Sequence, residues 1–351
     1  MTNNELPALR WGIVGTGLIS SWFVADLTID RANRRADHTI QAIGSSSVQK
    51  GQEFASQHLS GHTPAIYGSY AELYNDPNVE IVYIGTPHAF HKQNALDAIQ
   101  AGKHVLCEKS FTLNESEAKE VFAEAKKHNV FIMEAMWTRF FPLVQKLRQL
   151  IHVDKTIGDV HRVWCDFGLP KDIASSPITS RYKDPALGAG SLLDIGIYSL
   201  TWVILALESN LRTETPQVLA TQKIVHHVDV ATSVLLKYPD GGQGVATSTF
   251  ASKTPANFCR IEGTIGSIVV EGLAASVPAS FTIQLRNEES QKYEFERPGR
   301  GFYWEADAVA IDIAAGKTEN DIMPWDETIR IMHLLDEIRR QGGAQFPQDL
   351  E

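Results

Sequence analysis

The chain has 351 residues, of which 43% are hydrophobic and 21% are charged, with a formal net charge of −10 at pH 7. This length allows two domains of ordinary size, and the composition is typical of a globular protein with a large core. The net negative charge argues against a nucleic-acid-binding surface, which requires clustered Lys and Arg.

Three cysteines, Cys107, Cys165 and Cys259, are widely spaced and odd in number. They provide no disulfide framework and indicate a reducing compartment. The amino terminus, MTNNELPALRW, has no signal-peptide pattern. We therefore expect a cytoplasmic protein.

Strand and helix patterns alternate along roughly the first 140 residues. LRWGIVGTGLIS is a short strand that runs into a glycine turn and a helix. Further strand patterns, HTIQAIGSSS, VEIVYIGTP, KHVLCEKS and VFIMEAMW, alternate with helical patterns. This alternation predicts a doubly wound parallel sheet, and we assign residues 1–140 to a Rossmann domain that binds a dinucleotide.

Beyond Pro142 the pattern changes. A helix leads to the alternating strand GDVHRVWCDFG, and the apolar segment 191–207 follows after a loop. Between Gln217 and Glu296 come several β-rich runs, and two helical patterns close the chain. We predict an α+β domain over residues 141–351, built on a large, mainly antiparallel sheet.

The apolar segment SLLDIGIYSLTWVILAL contains Asp194 and, four residues later, Tyr198. Helical spacing places both side chains on one face. Membrane insertion, burial beside a polar partner and an active site are three explanations for them. The segment is shorter than the ~20 residues of a membrane span and contains a carboxylate, so a buried helix is favoured.

GTGLIS has the first two glycines of the G-x-G-x-x-G/A fingerprint, with Ser20 in the third place. The first glycine permits the tight turn, the second lets the backbone approach a pyrophosphate, and the helix start supplies N–H donors. The alternative is a glycine turn in a Rossmann-like domain that binds nothing. The predicted cofactor residues of this turn are Gly15, Thr16, Gly17, Leu18 and Ile19.

The end of the second strand indicates which dinucleotide binds. An NAD site usually has Asp or Glu there, on the ribose 2′-hydroxyl. This chain has Ser45, Ser46 and Ser47, with Lys50 one turn later. Hydroxyls and an ammonium could bind a 2′-phosphate, so NADP is favoured. Alternatively, the serines only cap the next helix.

Further candidates lie at and just after the end of the third strand pattern of this domain, VEIVYIGTP. Thr86, Pro87, His88 and His91 come after one strand, near the expected cofactor. A His-x-x-His metal pair is not expected, because no Cys or carboxylate has the spacing to complete it. Farther along, His226, His227 and Asp229 are expected at the surface.

Glu108 and Lys109 end the strand KHVLCEKS, at the edge where open α/β sheets bind ligands. A phenol has a pKa near ~10, and a neighbouring ammonium lowers it. Lys109 with Tyr198 could thus move a proton while a hydride moves to or from a nicotinamide. Without other motifs, Asp194 and Tyr198 would be read as a carboxylate at a helix start and a buried phenol.

Several spaced motifs occur in an order that resembles the Gfo/Idh/MocA oxidoreductases: WGIVGTGLIS, IGTPHAFH, AGKHVLCEKS, MEAMWTRFFP, GAGSLLDIGIYSL and EADAVAIDIAAGK…MPWDETIRIM. MEAMWTRFFP and LLDIGIY are similar to the dimeric dihydrodiol dehydrogenases and the NADP-dependent D-xylose 1-dehydrogenases within this family. The resemblance implies an NADP-dependent dehydrogenase and an open-faced sheet that pairs two subunits.

The resemblance also implies roles for individual residues. Lys109 matches the lysine of the family's E-K-P motif, Tyr198 the proposed acid/base, and Asp194 an aspartate that contacts substrate or orients the catalytic group. Arg181 is a further substrate candidate, although a loop salt bridge explains it equally well. The predicted substrate-binding residues are Trp137, Arg139, Phe141, Arg181, Asp194 and Tyr198.

One position departs from the family pattern. Ser110 stands where the family usually has proline after the lysine, and that proline commonly follows a cis bond. The sequence leaves open whether the Lys109–Ser110 peptide is cis.

The resemblance implies oxidation of an aldose such as D-xylose to a lactone, or of a trans-dihydrodiol. Two alternatives remain open at this point. One is NADPH-dependent reduction of anhydrofructose or another dicarbonyl or keto sugar. The other is a regulator that senses a dinucleotide without catalysis. The joint presence of Lys109 and Tyr198 favours an enzyme.

Overall fold

A computed structural model of the protein describes residues 6–209 and 216–350. The chain divides into two compact units, Met1–Phe140 with Pro298–Arg330, and Phe141–Arg297 with Ile331–Glu351. The division differs from the sequence-based assignment in one segment, because Pro298–Arg330 belongs to the first unit. The reason is tertiary: a helix of this segment packs against the first helix of the chain.

The first unit contains a parallel sheet of six strands in the order β3-β2-β1-β4-β5-β6. This is the doubly wound order of dinucleotide-binding domains and confirms the predicted fold class. Every residue of β4 and β6 is buried, as expected for strands covered on both faces. The strands are β1 (Ala8–Val14), β2 (Asp37–Gly44), β3 (Ala65–Tyr67), β4 (Ile81–Ile84), β5 (His104–Glu108) and β6 (Ile132–Ala135).

The helices of this unit carry local start and stop signals. Asn114 accepts a hydrogen bond from the Glu117 amide at the start of α5, and Asn129 ends the same helix with φ 52°. The sequence analysis missed β3 and α3, because each is too short to show a periodic pattern. The helices are α1 (Leu18–Leu27), α2 (Val48–His58), α3 (Tyr70–Tyr74), α4 (His91–Gln100), α5 (Glu115–His128) and, after the second unit begins, α8 (Phe302–Ala314).

The second unit contains a sheet of eight strands in the order β14-β13-β12-β11-β7-β10-β9-β8. Among the described strands of this second sheet, only the β7–β10 pair is parallel, so the predicted, mainly antiparallel sheet is confirmed. The strands are β7 (Val160–Gly168), β8 (Gln217–Val225), β9 (Val228–Lys237), β10 (Gln243–Thr249), β11 (Asn257–Gly263), β12 (Gly266–Ala274), β13 (Val277–Leu285) and β14 (Gln291–Glu294).

Three helices complete the described part of the second unit, α6 (Pro142–Arg148), α7 (Ile197–Leu207) and α9 (Trp325–Gly342), which begins in the first unit. Every residue of α7 is buried, and the helix packs on β7 and β10. The segment Pro185–Leu207 is long and apolar enough to cross a membrane, but 94% of its apolar window is buried inside the protein. The apolar character of this segment is therefore that of a helix in the protein core.

The β8–β9 turn corrects one expectation. His226 and His227 have φ of 52° and 66°, the left-handed geometry of a two-residue hairpin turn. Asp229, which was expected at the surface with them, is only 1% exposed. A carboxylate two residues into β9 therefore lies in the core of the second unit, which the local sequence gave no reason to expect.

Candidate active site

The glycine turn after β1 has the geometry that a pyrophosphate site requires. Gly15 has φ +90°, and a Cβ there would lie 3.1 Å from Cγ2 of Thr86. Gly17 begins α1 without a side-chain cap, which leaves the first amides of the helix available to an anion. Ser20 is buried in the place of the third glycine, so a small residue is needed there.

The three serines after β2 make different contacts. Ser47 caps α2 by accepting a hydrogen bond from the Lys50 amide, and the Ser45 hydroxyl donates to the Ser47 carbonyl at 2.6 Å. The capping alternative is therefore correct for Ser47. The Ser46 hydroxyl and the Lys50 ammonium are exposed and lie 3.0 Å apart. These two groups could hold a 2′-phosphate.

The loop after β4 is joined to the loop after β5 by one imidazole. Nε2 of His91 lies 2.8 Å from the Thr86 carbonyl oxygen, and Nδ1 lies 2.9 Å from the Ser110 carbonyl oxygen. The Asn94 amide donates to the Thr86 hydroxyl at 3.1 Å. His88 packs edge-on against His91. The His91 ring thus contacts protein backbone through both nitrogens and holds two strand ends together.

Glu108 and Lys109 lie at the carboxyl end of β5, and both are buried. The Tyr83 hydroxyl donates to Glu108 Oε1 at 2.6 Å. The Lys109–Ser110 peptide is cis. The question that Ser110 raised is therefore answered: the bond is cis although the second residue is serine.

A second carboxyl near Glu108 escaped the sequence analysis. Glu305 in the first turn of α8 is fully buried, and neither of its carboxyl oxygens has a hydrogen-bond partner among the described residues. Burial, with a further contribution from the Glu108 charge, raises the pKa of Glu305 well above its usual value. Burial therefore disfavours the charged form of the Glu305 carboxyl. Its only sequence signal was an acidic residue in an otherwise apolar helix start.

Trp137 and Arg139 lie in the short helical turn after β6, and both side chains are buried within the first unit. The indole of Trp137 stacks on Phe302 with ring centroids 4.1 Å apart. Arg139 Nη2 lies 2.5 Å from Glu327 Oε1, and Arg330 binds the other oxygen of this carboxylate at 2.7 Å. Glu327, which the sequence analysis did not single out, thus neutralises a predicted substrate-binding arginine.

The next predicted residue, Phe141, begins the second unit. Its ring is buried, and the Arg297 guanidinium lies 5.5 Å from the ring centroid. An arginine over an aromatic face is a stabilising contact within this unit.

Asp194 and Tyr198 lie where the segment 191–207 changes its winding. The turn Leu192–Gly196 is a π-helix, and α7 continues from it. Single π turns are frequent at functional sites. Arg181 Nη2 lies 2.6 Å from Asp194 Oδ1, so the salt bridge that was one of the two explanations for Arg181 is present. The Tyr198 ring is buried 5.9 Å from Phe167.

The candidate residues are distributed over the two units. The dinucleotide candidates and Lys109 belong to the first, and Arg181, Asp194 and Tyr198 belong to the second. Over the described residues, no three His, Cys, Asp or Glu side chains are grouped as metal ligands.

Two protein-family models match the chain. The model described as the oxidoreductase family with an NAD-binding Rossmann fold matches residues 9–136, and the GFO/IDH/MocA C-terminal domain matches residues 144–269. An NADP-dependent D-xylose 1-dehydrogenase of Hypocrea jecorina is 37% identical over 99% of this chain and 95% of its own. A trans-1,2-dihydrobenzene-1,2-diol dehydrogenase of Sus scrofa is 36% identical over 97% and 99%.

Solved structures share the fold over nearly the whole chain. An aldose-aldose oxidoreductase of Caulobacter crescentus superposes with a TM-score of 0.82 at 23% identity, covering 96% of this chain and 98% of that one. A 3-ketoreductase of Actinomadura kijaniata gives 0.80 at 20% identity, covering 95% and 98%. The resemblance seen in the motifs is confirmed, and the chain belongs to the Gfo/Idh/MocA family of oxidoreductases.

Proposed function

We propose that this protein is an NADP-dependent dehydrogenase that transfers a hydride between the nicotinamide and a sugar or diol. The observation that carries the proposal is the near full-length similarity to an NADP-dependent D-xylose 1-dehydrogenase and a trans-dihydrodiol dehydrogenase. The substrate is an aldose such as D-xylose, oxidised at the anomeric carbon to a lactone, or a trans-dihydrodiol.

The residues of the first unit fit this cofactor. Gly15, with φ +90°, lies so close to Thr86 and Gly85 that a side chain would be strained there, and α1, which follows this tight turn, presents uncapped amides. Ser46 and Lys50 provide a hydroxyl and a cation after β2, where a carboxylate would oppose a 2′-phosphate. Bound NADP would supply the hydride acceptor. The proposed contacts to it also include Thr16, Leu18, Ile19, Ser45, Ser47, Thr86, Pro87, His88, His91, Glu108 and Lys109.

The protein's own part in the reaction is to move one proton. Tyr198 accepts the proton of the substrate hydroxyl as the carbon–hydrogen bond breaks and the carbonyl forms. Lys109 is the cation that favours the phenolate, because an ammonium lowers the pKa of a nearby phenol. Asp194, Arg181 and Arg139 orient polar groups of the substrate, and Trp137 and Phe141 supply apolar walls.

A spectrophotometric screen at 340 nm tests the reaction. NADP and NAD are each offered with aldoses, inositols and aromatic diols, and NADPH with dicarbonyls and keto sugars. We expect reduction of NADP with an aldose or a dihydrodiol. Turnover only in the reductive direction would replace this function with a reductase, and tight NADPH binding without any turnover would indicate a regulator.

Substitution of the phenol tests the acid/base role. Tyr198→Phe should lower kcat by ~10²–10⁴, the usual contribution of general acid–base catalysis, with NADPH affinity unchanged. Tyr238→Phe is a matched control, because Tyr238 is also buried in the second unit and donates to Glu208 at 2.6 Å. Wild-type turnover in Tyr198→Phe would contradict the proposed mechanism.

We further propose that two subunits pair through the open face of the second sheet. Trp164 on β7 is 61% exposed, and Val245, Leu235 and Leu219 follow it in register across β10, β9 and β8. Trp164 and Leu219 are exposed and the two residues between them are half-buried, and such an accessible apolar row on a sheet is typical of a protein–protein interface. Trp164→Glu should halve the mass measured by light scattering, whereas Trp22→Glu in the first unit should not.

The proposed location is the cytoplasm. Cys107, Cys165 and Cys259 are free and buried, which suits a reducing compartment. Fractionation of cells that produce the protein should recover its activity with cytoplasmic markers.

A further inference from the structure

A buried carboxylate holds the start of the helical segment that carries Asp194 and Tyr198. Asp229, on β9, uses one oxygen, Oδ2, to accept three hydrogen bonds. The donors are the Ser191 hydroxyl at 2.8 Å, the Leu192 amide at 2.8 Å and the Thr232 hydroxyl at 2.9 Å. Two of the three donors are thus the first residues of the segment, and the third is on β9 itself.

This arrangement replaces a local helix cap. Helix starts leave amides without intrahelical partners, and a side chain next to them in sequence usually accepts those hydrogen bonds. Ser191 stands at the cap position but makes no such bond. The acceptor comes instead from Asp229, 37 residues later. The position of the helix start is therefore set by the sheet, and not by the adjoining loop.

The loop before the helix leaves little room for movement. Gly190 has φ +151°, and a Cβ there would collide with Asp229 Oδ1. The Ser191 hydroxyl also lies 3.1 Å from the Ser248 hydroxyl on β10. One turn into α7, the Ser199 hydroxyl donates to the Thr247 carbonyl at 2.8 Å. The segment is thus bonded to β9 and β10 before Asp194 and to β10 after Tyr198.

The charge of Asp229 suits this task. Burial raises the pKa of Asp229 to about 6, against the opposing effect of the hydrogen bonds it accepts. At neutral pH it is an anion at a helix amino terminus, where negative charge is stabilising. Hydrogen bonds to an ionised acceptor are also stronger than those to a neutral one.

We propose that Asp229 is a positioning residue that sets where Asp194 and Tyr198 stand, by anchoring the start of the π-helical turn Leu192–Gly196 to β9. The proposal rests on the proposed function, because it requires that Tyr198 take part in catalysis. A misplacement of catalytic groups by ~1 Å can lower turnover by about 10²-fold. Asp229 therefore affects catalysis through the helix and need not contact substrate.

Two substitutions separate positioning from charge. Asp229→Ala removes the shared acceptor, and we expect kcat to fall by ~10- to 100-fold. NADPH affinity should stay unchanged, since the cofactor candidates lie in the first unit. Asp229→Asn keeps an oxygen at the Oδ2 position and should restore kcat to within about threefold of wild type.

The matched control is at the other end of the same helix. Glu208 is buried and accepts a hydrogen bond from the Tyr238 hydroxyl at 2.6 Å. Glu208→Ala should lower the melting temperature as Asp229→Ala does, but leave kcat unchanged. A purely structural role would give the two alanine variants the same kcat.

The outcomes distinguish this inference from the function on which it rests. If Tyr198→Phe is impaired and folded Asp229→Ala keeps wild-type kcat, the positioning role is wrong and the catalytic proposal stands. If Tyr198→Phe itself keeps wild-type kcat, the catalytic proposal fails first. Should Asp229→Ala not fold, Ser191→Ala removes one of the three bonds and should lower kcat about threefold or more, and an unchanged kcat there also overturns the role.

Discussion

The two units hold their candidate residues by different means. In the first unit, the candidates lie on turns after β1, β2, β4 and β5, and backbone groups do most of the holding: Gly15 fits against Thr86, and His91 contacts two carbonyl oxygens. In the second unit, Asp194 and Tyr198 lie on a helix whose start is bonded to the Asp229 side chain. The proposed cofactor residues are thus positioned by local turns, and the helix that carries the proposed acid/base is positioned by contacts between segments distant in the chain.

The first prediction concerns Arg139, a candidate residue of the first unit that is held by a side chain, Glu327, and not by backbone groups. Although burial opposes ionisation, Arg139 and Arg330 hold the pKa of Glu327 below its usual value. Arg139→Met should lower the free energy of unfolding by about 3–4 kcal/mol, because it leaves a buried carboxylate with one partner instead of two. Urea denaturation measures this loss.

The matched variant for this ion pair removes both charges. Arg139→Met with Glu327→Gln should recover much of the lost stability, because no uncompensated charge stays buried. The loss in free energy of unfolding of the double variant is compared with the sum of the losses of the two single variants. If the two are equal, the pair is not coupled, and side-chain contacts matter less in this unit than the structure indicates.

The second prediction concerns the second unit, and states how the free energy of unfolding depends on pH through Asp229. The pKa of Asp229 is raised from 3.8 to about 6 in the folded protein. Between these values the folded state binds more protons than the unfolded state, so stability falls as pH rises from about 4 to 6. Asp229 should contribute a loss of up to about 3 kcal/mol over this interval.

Asp229→Asn provides the reference for this measurement, because it cannot titrate. Urea midpoints are measured for wild type and variant at several pH values between 4 and 7. The difference between the two proteins should be smallest near pH 4, where the Asp229 carboxyl is protonated, and should grow as the pH rises. Parallel profiles would mean that Asp229 has an ordinary pKa in the folded protein.

The third prediction concerns an exposed side chain in the first unit. Lys50→Ala should weaken NADPH binding by about 5- to 10-fold, equivalent to ~1 kcal/mol, and leave NADH binding unchanged. Fluorescence titration with both cofactors measures the preference. Lys92→Ala is the control, since Lys92 is a lysine of the same unit that pairs with Glu120. Equal weakening of both cofactors would remove Lys50 from the 2′-phosphate site.

The elements that the sequence predicted well are those with a local signal. The alternation of β1 to β6 with helices, the glycine turn at Gly15, and the burial of the segment 191–207 all follow from patterns within a few residues. The serine cluster was ambiguous because capping and phosphate binding use the same hydroxyl. The structure assigns the cap to Ser47 and leaves Ser46 exposed.

The sequence by itself determined the doubly wound domain, the mainly antiparallel second sheet and the glycine turn after β1, because strand alternation, helical period and positive-φ glycines are properties of short segments. Only the tertiary structure decided that Pro298–Arg330 belongs with the first unit, that Glu327 pairs with Arg139, and that Asp229 caps the helix of Tyr198. Each of these joins groups far apart in the chain, and the choice of a buried charge's partner depends on which surfaces the whole fold brings together.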